Sequence, residues 1–278
     1  MFRTRRRRRP VSTLFHYTSP VGLDGILKSH SVWASSINYL NDEDEFTFAF
    51  RRMLSVLKPF VKDRPDLKPW VETIADYNSR SAGIHVGVFS LSEEPDLLSQ
   101  WRGYAPSGFS IGFSLHRLAE IAEAADYTLA KCVYENREQR RRLREILVDS
   151  VALYDRKIAD GTPKDVALEE AGHRLLVNTI RLAPLLKNPA FAEEREWRLI
   201  SGIRRANSGE WQIRVKGTHF VPYLVLWLGK TEDSPIIQII VGPHPQSEVA
   251  YLGVHQLRHS YKVNASIKKS RTPYRSMS

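Results

Sequence analysis

The sequence predicts an α+β domain: a mixed, mostly antiparallel sheet with flanking helices and a helical insertion. Three observations carry this. Short apolar stretches bounded by turn residues lie towards both ends of the chain. Two long central stretches instead repeat apolar residues at helical spacing. Strands and helices do not alternate regularly, as βαβ winding would require.

The elements follow in order. Thr13 to Tyr17 reads as a strand. Thr18 or Ser19 caps a short helix whose first turn holds Pro20, where a missing N–H costs nothing; it runs to about Ser29. Val32 to Ser35 is a second strand, and Asn38 to Asp42 a polar turn. Phe46, Phe50, Met53, Leu54 and Leu57 then recur at helical spacing, and another helix follows Pro69. Ile84 to Ser90 and Gly108 to Ser114 read as strands, Leu115 to Ala125 as helix, and Tyr127 to Tyr134 as strand. The helical insertion comprises Arg137 to Asp160 and Lys164 to Leu186, separated by Gly161-Thr162-Pro163. The last third predicts strands over Glu196 to Ser201, Trp211 to Val215, His219 to Leu228 and Ile236 to Val241. A helix over Ser247 to Leu257 and a strand over Val263 to Lys268 follow.

No linker rich in proline and glycine divides the chain, so residues 11–278 are read as a single domain. That size is near the limit of roughly 250–300 residues that one core supports. Residues 1–10 are read as a disordered basic tail, dispensable for folding. Six of the ten net positive charges are arginines within it, Arg3 and Arg5 to Arg9, leaving +4 for the rest. The body is therefore only mildly basic, and the tail is a solvated run or a phosphate contact. No apolar run reaches the ~18 residues that span a bilayer, and the N-terminus lacks an apolar signal core. The single cysteine, Cys132, suits a reducing, cytoplasmic setting, as a small apolar residue on the Leu129–Tyr134 strand or as a nucleophile.

Four constellations can carry chemistry. His16, with Tyr17 and Thr18, ends the first strand just before a capped helix. It either bonds a ligand hydroxyl in a surface cleft or holds the strand–helix turn. In Glu193-Glu194-Arg195-Glu196-Trp197-Arg198, strand alternation puts Glu194, Glu196 and Arg198 on one face. A carboxylate there can stabilise a developing cation or act as a base, whereas the bland reading is a surface pair of Glu196 with Arg198. Ser90 and Ser92, followed by Trp101, Arg102 and Tyr104, suit contact with a planar ring, or Trp101 is a core aromatic. The acidic run Asp42-Glu43-Asp44-Glu45 could hold a hard cation but sits where acids complement a helix dipole. No CxxC, HExxH, P-loop or GxGxxG is present, so no metal is expected.

In this order, several segments resemble the bacterial domain-of-unknown-function family numbered 2971. They are Phe15-His16-Tyr17-Thr18-Ser19 with Ile26-Leu27, Leu40-Asn41-Asp42 with Glu45-Phe46, and Phe89-Ser90 with Ser99-Gln100-Trp101-Arg102-Gly103-Tyr104. Glu193 to Arg198, Ile239-Ile240-Val241-Gly242-Pro243 and Pro273-Tyr274-Arg275 complete the set. The resemblance spans Leu14 to Arg275 and implies a fold group rather than a reaction.

A second resemblance does imply chemistry. His-X-Thr at a strand end, followed by a short helix with Ile-Leu, is similar to the opening of ADP-ribosyltransferase folds, as in toxin-type enzymes that modify nucleic acids. In those folds a histidine or arginine anchors a ribose of NAD, a serine strand or an aromatic follows, and a late glutamate opens a strand. Here His16, then Ser90-Leu91-Ser92 or Tyr104, then Glu196 would fill those roles, with Glu194 completing a Glu-X-Glu and Arg198 beside it. The usual strand tyrosine has no clear counterpart, and residues 38–80 and 136–188 lie outside the minimal fold.

The resulting expectation is a toxin- or defence-type transferase that consumes NAD and modifies a nucleic-acid or protein acceptor. The rivals are a metal-dependent nuclease built on Asp42, Glu45 and the Glu194/Glu196 pair, and a non-catalytic nucleic-acid-binding or regulatory module. The transferase reading requires His16 and Glu196 to meet at one cleft rather than on opposite faces of the sheet, with Ser90 or Tyr104 bordering it. It also expects Glu196 to matter more than Glu194, and Glu196→Gln to cost ~10²–10³ in rate with little loss of stability.

Overall fold

The computed structural model describes residues 11–39, 44–79 and 84–273. The arginine tail, Asn41, Asp42 and Tyr274-Arg275 lie outside the described residues, as does the side chain of Glu45.

The chain is a mixed α+β structure with a mostly antiparallel open sheet. Its hub is β4 (Gly87–Ser92). Along one edge β4 pairs antiparallel with β7 (Glu196–Ser201), from Val88 opposite Ile200 to Ser92 opposite Glu196. Its other edge is shared. Gly87 and Val88 pair with Ser36 and Ser35 of β2 (Ser31–Ser36), whereas Ser92 pairs with Phe15 of β1 (Thr13–Thr18). Between these contacts the sheet forks. One arm runs from β1 through β5 (Phe109–Ser114) and β11 (Ile236–Val241) to β12 (Ser266–Lys269), the last pair parallel. The other runs from β2 through β10 (His219–Trp227) to β9 (Gln212–Lys216). β6 (Tyr127–Lys131) covers the outer edge of β7.

Helix α1 (Pro20–Ser29) bridges the fork, connecting β1 to β2. Ser19 caps it by accepting the N–H of Gly22, and His30 ends it in the left-handed conformation, turning the chain tightly into β2. A Cβ at Gly22 would lie 2.0 Å from Thr18 Oγ1, so any larger residue there would force the Thr18 side chain to turn away. Leu23, Ile26 and Leu27 bury the inner face of α1 against Leu14, Val32 and Ile111. Each such side chain contributes about 1.5–3 kcal/mol of burial, so the helix is anchored beside the fork.

Alternation along β4 and β7 buries the hub on both faces. Phe89, Leu91 and Leu199 join the core of the two sheet arms, together with α5 (Leu115–Ala124) and α8 (Ser247–Ser260). Val88 and Ile200 point the other way, into a second core made by α2 (Asp44–Asp63), α3 (Lys68–Ser79), α6 (Asn136–Ala159) and α7 (Lys164–Leu182). The helical spacing read in the sequence builds this second core: Phe50, Met53, Leu57, Leu143, Leu147 and Leu175 are all fully buried. Trp70 closes it, donating its indole N–H to the Leu168 carbonyl at 2.9 Å.

Two expected strands end differently. Ile84 to Ser90 breaks at Val86, whose carbonyl accepts the N–H of Ile37, so β3 (Ile84–His85) forms a separate ribbon with β8 (Arg204–Arg205). The Tyr127–Tyr134 strand stops at Lys131. Cys132 is buried beyond it, its N–H held by the Glu196 carbonyl. Among the described residues no helix is long and apolar enough to cross a membrane.

Candidate functional site

The fork opens into a cleft of about 1200 Å³, somewhat larger than the roughly 300–1,000 Å³ that small-molecule sites usually occupy. β1, α1, β2, β4, β7 and β9 line it, together with the segment after α7 and one side of α4 (Leu98–Tyr104).

His16 sits in the split itself. In strand register it alternates to the face opposite Phe15, Ser92 and Glu196. Its ring, however, takes the position a neighbouring strand would hold, with Nδ1 2.9 Å from the Ser90 carbonyl and the ring 4.2 Å from that of Phe89. The fork therefore lets His16 and Glu196 line one cleft despite their register. Burial pushes the His16 pKa down; the Ser90 bond opposes this and the Arg214 charge adds to it, leaving a value of about 4. The ring is neutral near pH 7. With Nδ1–H donating to Ser90, Nε2 is left as an acceptor, suited to a ligand hydroxyl.

On the β7 side lies a buried charge cluster of Lys187, Glu194, Glu196 and Arg198. Lys187 Nζ donates to Glu194 Oε2 at 2.6 Å and to Glu196 Oε2 at 2.5 Å. The Arg198 guanidinium bonds Glu196 through Nε at 2.7 Å and Nη2 at 3.0 Å, and donates to the Pro184 carbonyl at 2.7 Å. Burial acts to raise the Glu196 pKa, but the charges and hydrogen bonds of Arg198 and Lys187 outweigh it and hold the value at about 2. Tyr104, half-exposed on α4, donates to Glu194 Oε1 across 3.4 Å.

The two glutamates converge for a different reason than strand alternation. Glu194 is the last residue of a 3₁₀ turn, Pro189–Glu194, and only Glu196 begins the strand. Arg195 between them has a φ of 45°, which turns the chain sharply and sends both carboxylates towards Lys187. Ser92 fixes the turn by donating to the Glu194 carbonyl at 2.6 Å, while Tyr134 accepts the Glu196 N–H at 2.9 Å.

Residues 100–199 match the family model described as "Protein of unknown function (DUF2971)". No curated protein and no solved structure matches the chain. The DUF2971 match runs from α4 to β7. It therefore contains Tyr104 and the whole Lys187, Glu194, Glu196, Arg198 cluster, while His16 and β9 lie outside it.

Of the residues singled out in the sequence, His16, Tyr17, Thr18, Ser90, Ser92, Tyr104, Glu194, Glu196 and Arg198 line the cleft. Tyr17 also braces a loop: its hydroxyl donates to the Glu94 carbonyl and accepts the Leu97 N–H. Trp101 is not a stacking surface. It is fully buried against Tyr17 and donates to Asp96, because the turn of α4 that exposes Tyr104 points Trp101 inward. Arg102 is exposed and stands outside the cleft wall. The expected surface pair of Glu196 and Arg198 is instead buried. A metal site on Glu194 and Glu196 does not fit the donor set, since Lys187 and Arg198 occupy the Glu196 oxygens. Among the described residues no three metal-binding side chains cluster.

Sequence reasoning missed Lys187, Trp33, Arg214 and Lys216. Lys187 carried one signal: Asn188-Pro189 has a cap residue followed by proline, which marks a new helical turn before Glu194. Arg214 and Lys216 alternate on β9 with Ile213 and Val215, but nothing local shows which face meets the cleft.

Proposed function

We propose that the cleft binds NAD or a closely related nucleotide, and that the protein is an ADP-ribosyltransferase-like enzyme acting on a nucleic-acid or protein acceptor. The observation that carries this reading is the forked sheet. It gathers a neutral histidine acceptor, a glutamate pair and a half-exposed tyrosine in one cleft large enough for a molecule with several rings. In this reading Nε2 of His16 accepts a ribose hydroxyl.

Cleavage breaks the ribose–nicotinamide C–N bond. Nicotinamide leaves as a neutral molecule with the bonding pair, and the ribosyl carbon becomes an oxocarbenium-like cation. A fixed carboxylate nearby stabilises that cation, by the logic of glycoside hydrolysis. An acceptor nucleophile then forms the new bond and gives up its proton. We assign the carboxylate beside the ribosyl cation to Glu194, next to Tyr104. Glu196 fixes Lys187 and Arg198 as a positioning residue. This reverses the order expected from sequence, and it rests on the cations: Glu196 is held by both Lys187 and Arg198, whereas Glu194 meets Lys187 and the half-exposed Tyr104.

That same engagement favours one rival, a module that binds nucleotide without turnover. Nicotinamide release from NAD, measured with nucleic-acid and protein acceptors, separates the two. The enzyme reading expects release that falls about 10²–10³-fold in Glu194→Gln. Absence of release from the unmodified protein across a broad acceptor set, with NAD still bound, would establish the rival.

A further inference from the structure

Among the described residues Arg214 is a cation without a counter-ion. It projects from β9 on the cleft face, since it pairs with Val221 while Tyr223, two residues on, pairs with Ser35 of β2. Among the described residues it makes no ion pair. Its one hydrogen bond runs from Nη2 to Ser35 Oγ at 2.8 Å, and its buried Nε has no partner there. The guanidinium carbon lies 5.5 Å from the centre of the Trp33 ring, which is itself stacked on Tyr223. Burial pushes the Arg214 pKa down, with Tyr223 opposing and no carboxylate taking part. Lys216, two residues on and on the same face, also lines the cleft, and its pKa is lowered by burial and by the Arg214 charge.

A protein gains no stability from a partly buried guanidinium that meets no carboxylate among the described residues. Such an arrangement suits an anion that arrives from outside, and a guanidinium fork matches phosphate oxygens better than any other side chain. We propose that Arg214 and Lys216 seat the phosphate or diphosphate of the cleft's ligand, with Trp33 flanking the seat. This deepens the nucleotide reading and rests on it for the identity of the ligand, although phosphate recognition itself does not require turnover. A cleft of about 1200 Å³ has room for a small phosphorylated molecule, and that is the ligand class the proposal takes.

The test is calorimetric titration of the full chain with inorganic pyrophosphate, ADP-ribose, adenosine and a short oligonucleotide. Pyrophosphate and ADP-ribose should bind, and should compete with each other. Arg214→Gln should weaken ADP-ribose about ten- to a hundredfold, the range expected for a lost charged hydrogen bond. Adenosine affinity should not change. Arg214→Lys should fall between, because it keeps the charge without the fork, and melting temperatures should match wild type for both variants. Unchanged ADP-ribose affinity in Arg214→Gln would overturn the proposal, even if NAD is consumed. Oligonucleotide binding that ADP-ribose does not displace, and that Arg214→Gln abolishes, would assign the wall to a polymer and also overturn it. Pyrophosphate binding lost in Arg214→Gln without any NAD turnover would leave the seat standing and remove only the enzyme reading.

Discussion

The cleft carries basic groups on two walls, and the two are built in opposite ways. On the β7 wall, Lys187 and Arg198 are buried and their donors meet Glu194, Glu196 and a backbone carbonyl. On the β9 wall, Arg214 keeps a single hydrogen bond to a neutral hydroxyl. Desolvated charges persist only when partners repay the loss of water. The first wall repays it internally and belongs to the folded architecture. The second leaves its potential directed into the cleft. The two basic walls thus have different duties, one to hold the site together and one to receive a ligand.

The sharpest way to break this comparison is by stability. Glu196→Gln leaves Lys187 and Arg198 buried beside an uncharged amide, so unfolding in urea should show a loss of about 3–5 kcal/mol. The sequence expectation of little change assumed an exposed carboxylate, whereas Glu196 is 5% exposed. Arg214→Gln breaks no ion pair and should stay within about 0.5 kcal/mol of wild type. Equal losses in the two variants would erase the distinction between the walls.

A second, smaller effect concerns acid. The folded pKa of Glu196, about 2, lies below its ordinary value of 4.5. A depressed carboxylate contributes stability above its unfolded pKa and loses it as pH falls through the folded one. The window is therefore from about pH 4.5 down to about 2. Other carboxylates, among them Asp66 and Asp96, are also held below their ordinary values, so the informative quantity is a difference. Wild type minus Glu196→Gln stability should shrink across that window; a constant gap would detach Glu196 from the charge cluster.

How much of this was legible in the sequence follows from range. Glu196–Ser201 and Ile236–Val241 form the strands their apolar runs predict, and of the two expected caps, Thr18 and Ser19, it is Ser19 that caps α1. These signals lie within a few residues of what they determine. The fork was not legible, because it depends on β4 sharing one edge between two strands, and only pairing over long separations fixes that. The convergence on Lys187 was hidden for the same reason, compounded by the left-handed Arg195, which no local pattern announced. The sequence pairs Trp101 with Tyr104 because residues three apart on a helix share a face. Over the short α4 the chain is buried on one side of that face and open on the other.

The smallest expected effect couples the two walls. His16 should titrate near pH 4 in an NMR experiment on its ring protons, against an ordinary value of 6.5. Burial is the main cause, the Ser90 carbonyl opposes it, and the Arg214 charge lowers the value further. The unfolded histidine therefore binds its proton first as pH falls, so stability is lost progressively between about 6.5 and 4. Removing the Arg214 charge in Arg214→Gln should raise the His16 midpoint by a fraction of a unit, since burial and the Ser90 bond both remain. Glu196→Gln should shift it less, because the Glu196 charge is already balanced by Lys187 and Arg198. A midpoint near 6.5 in wild type would mean that His16 is solvated rather than set into the fork. A normal response to Glu196→Gln with none to Arg214→Gln would mean that the unpaired charge faces away from the cleft, and the contrast between the walls would then have no bearing on a ligand.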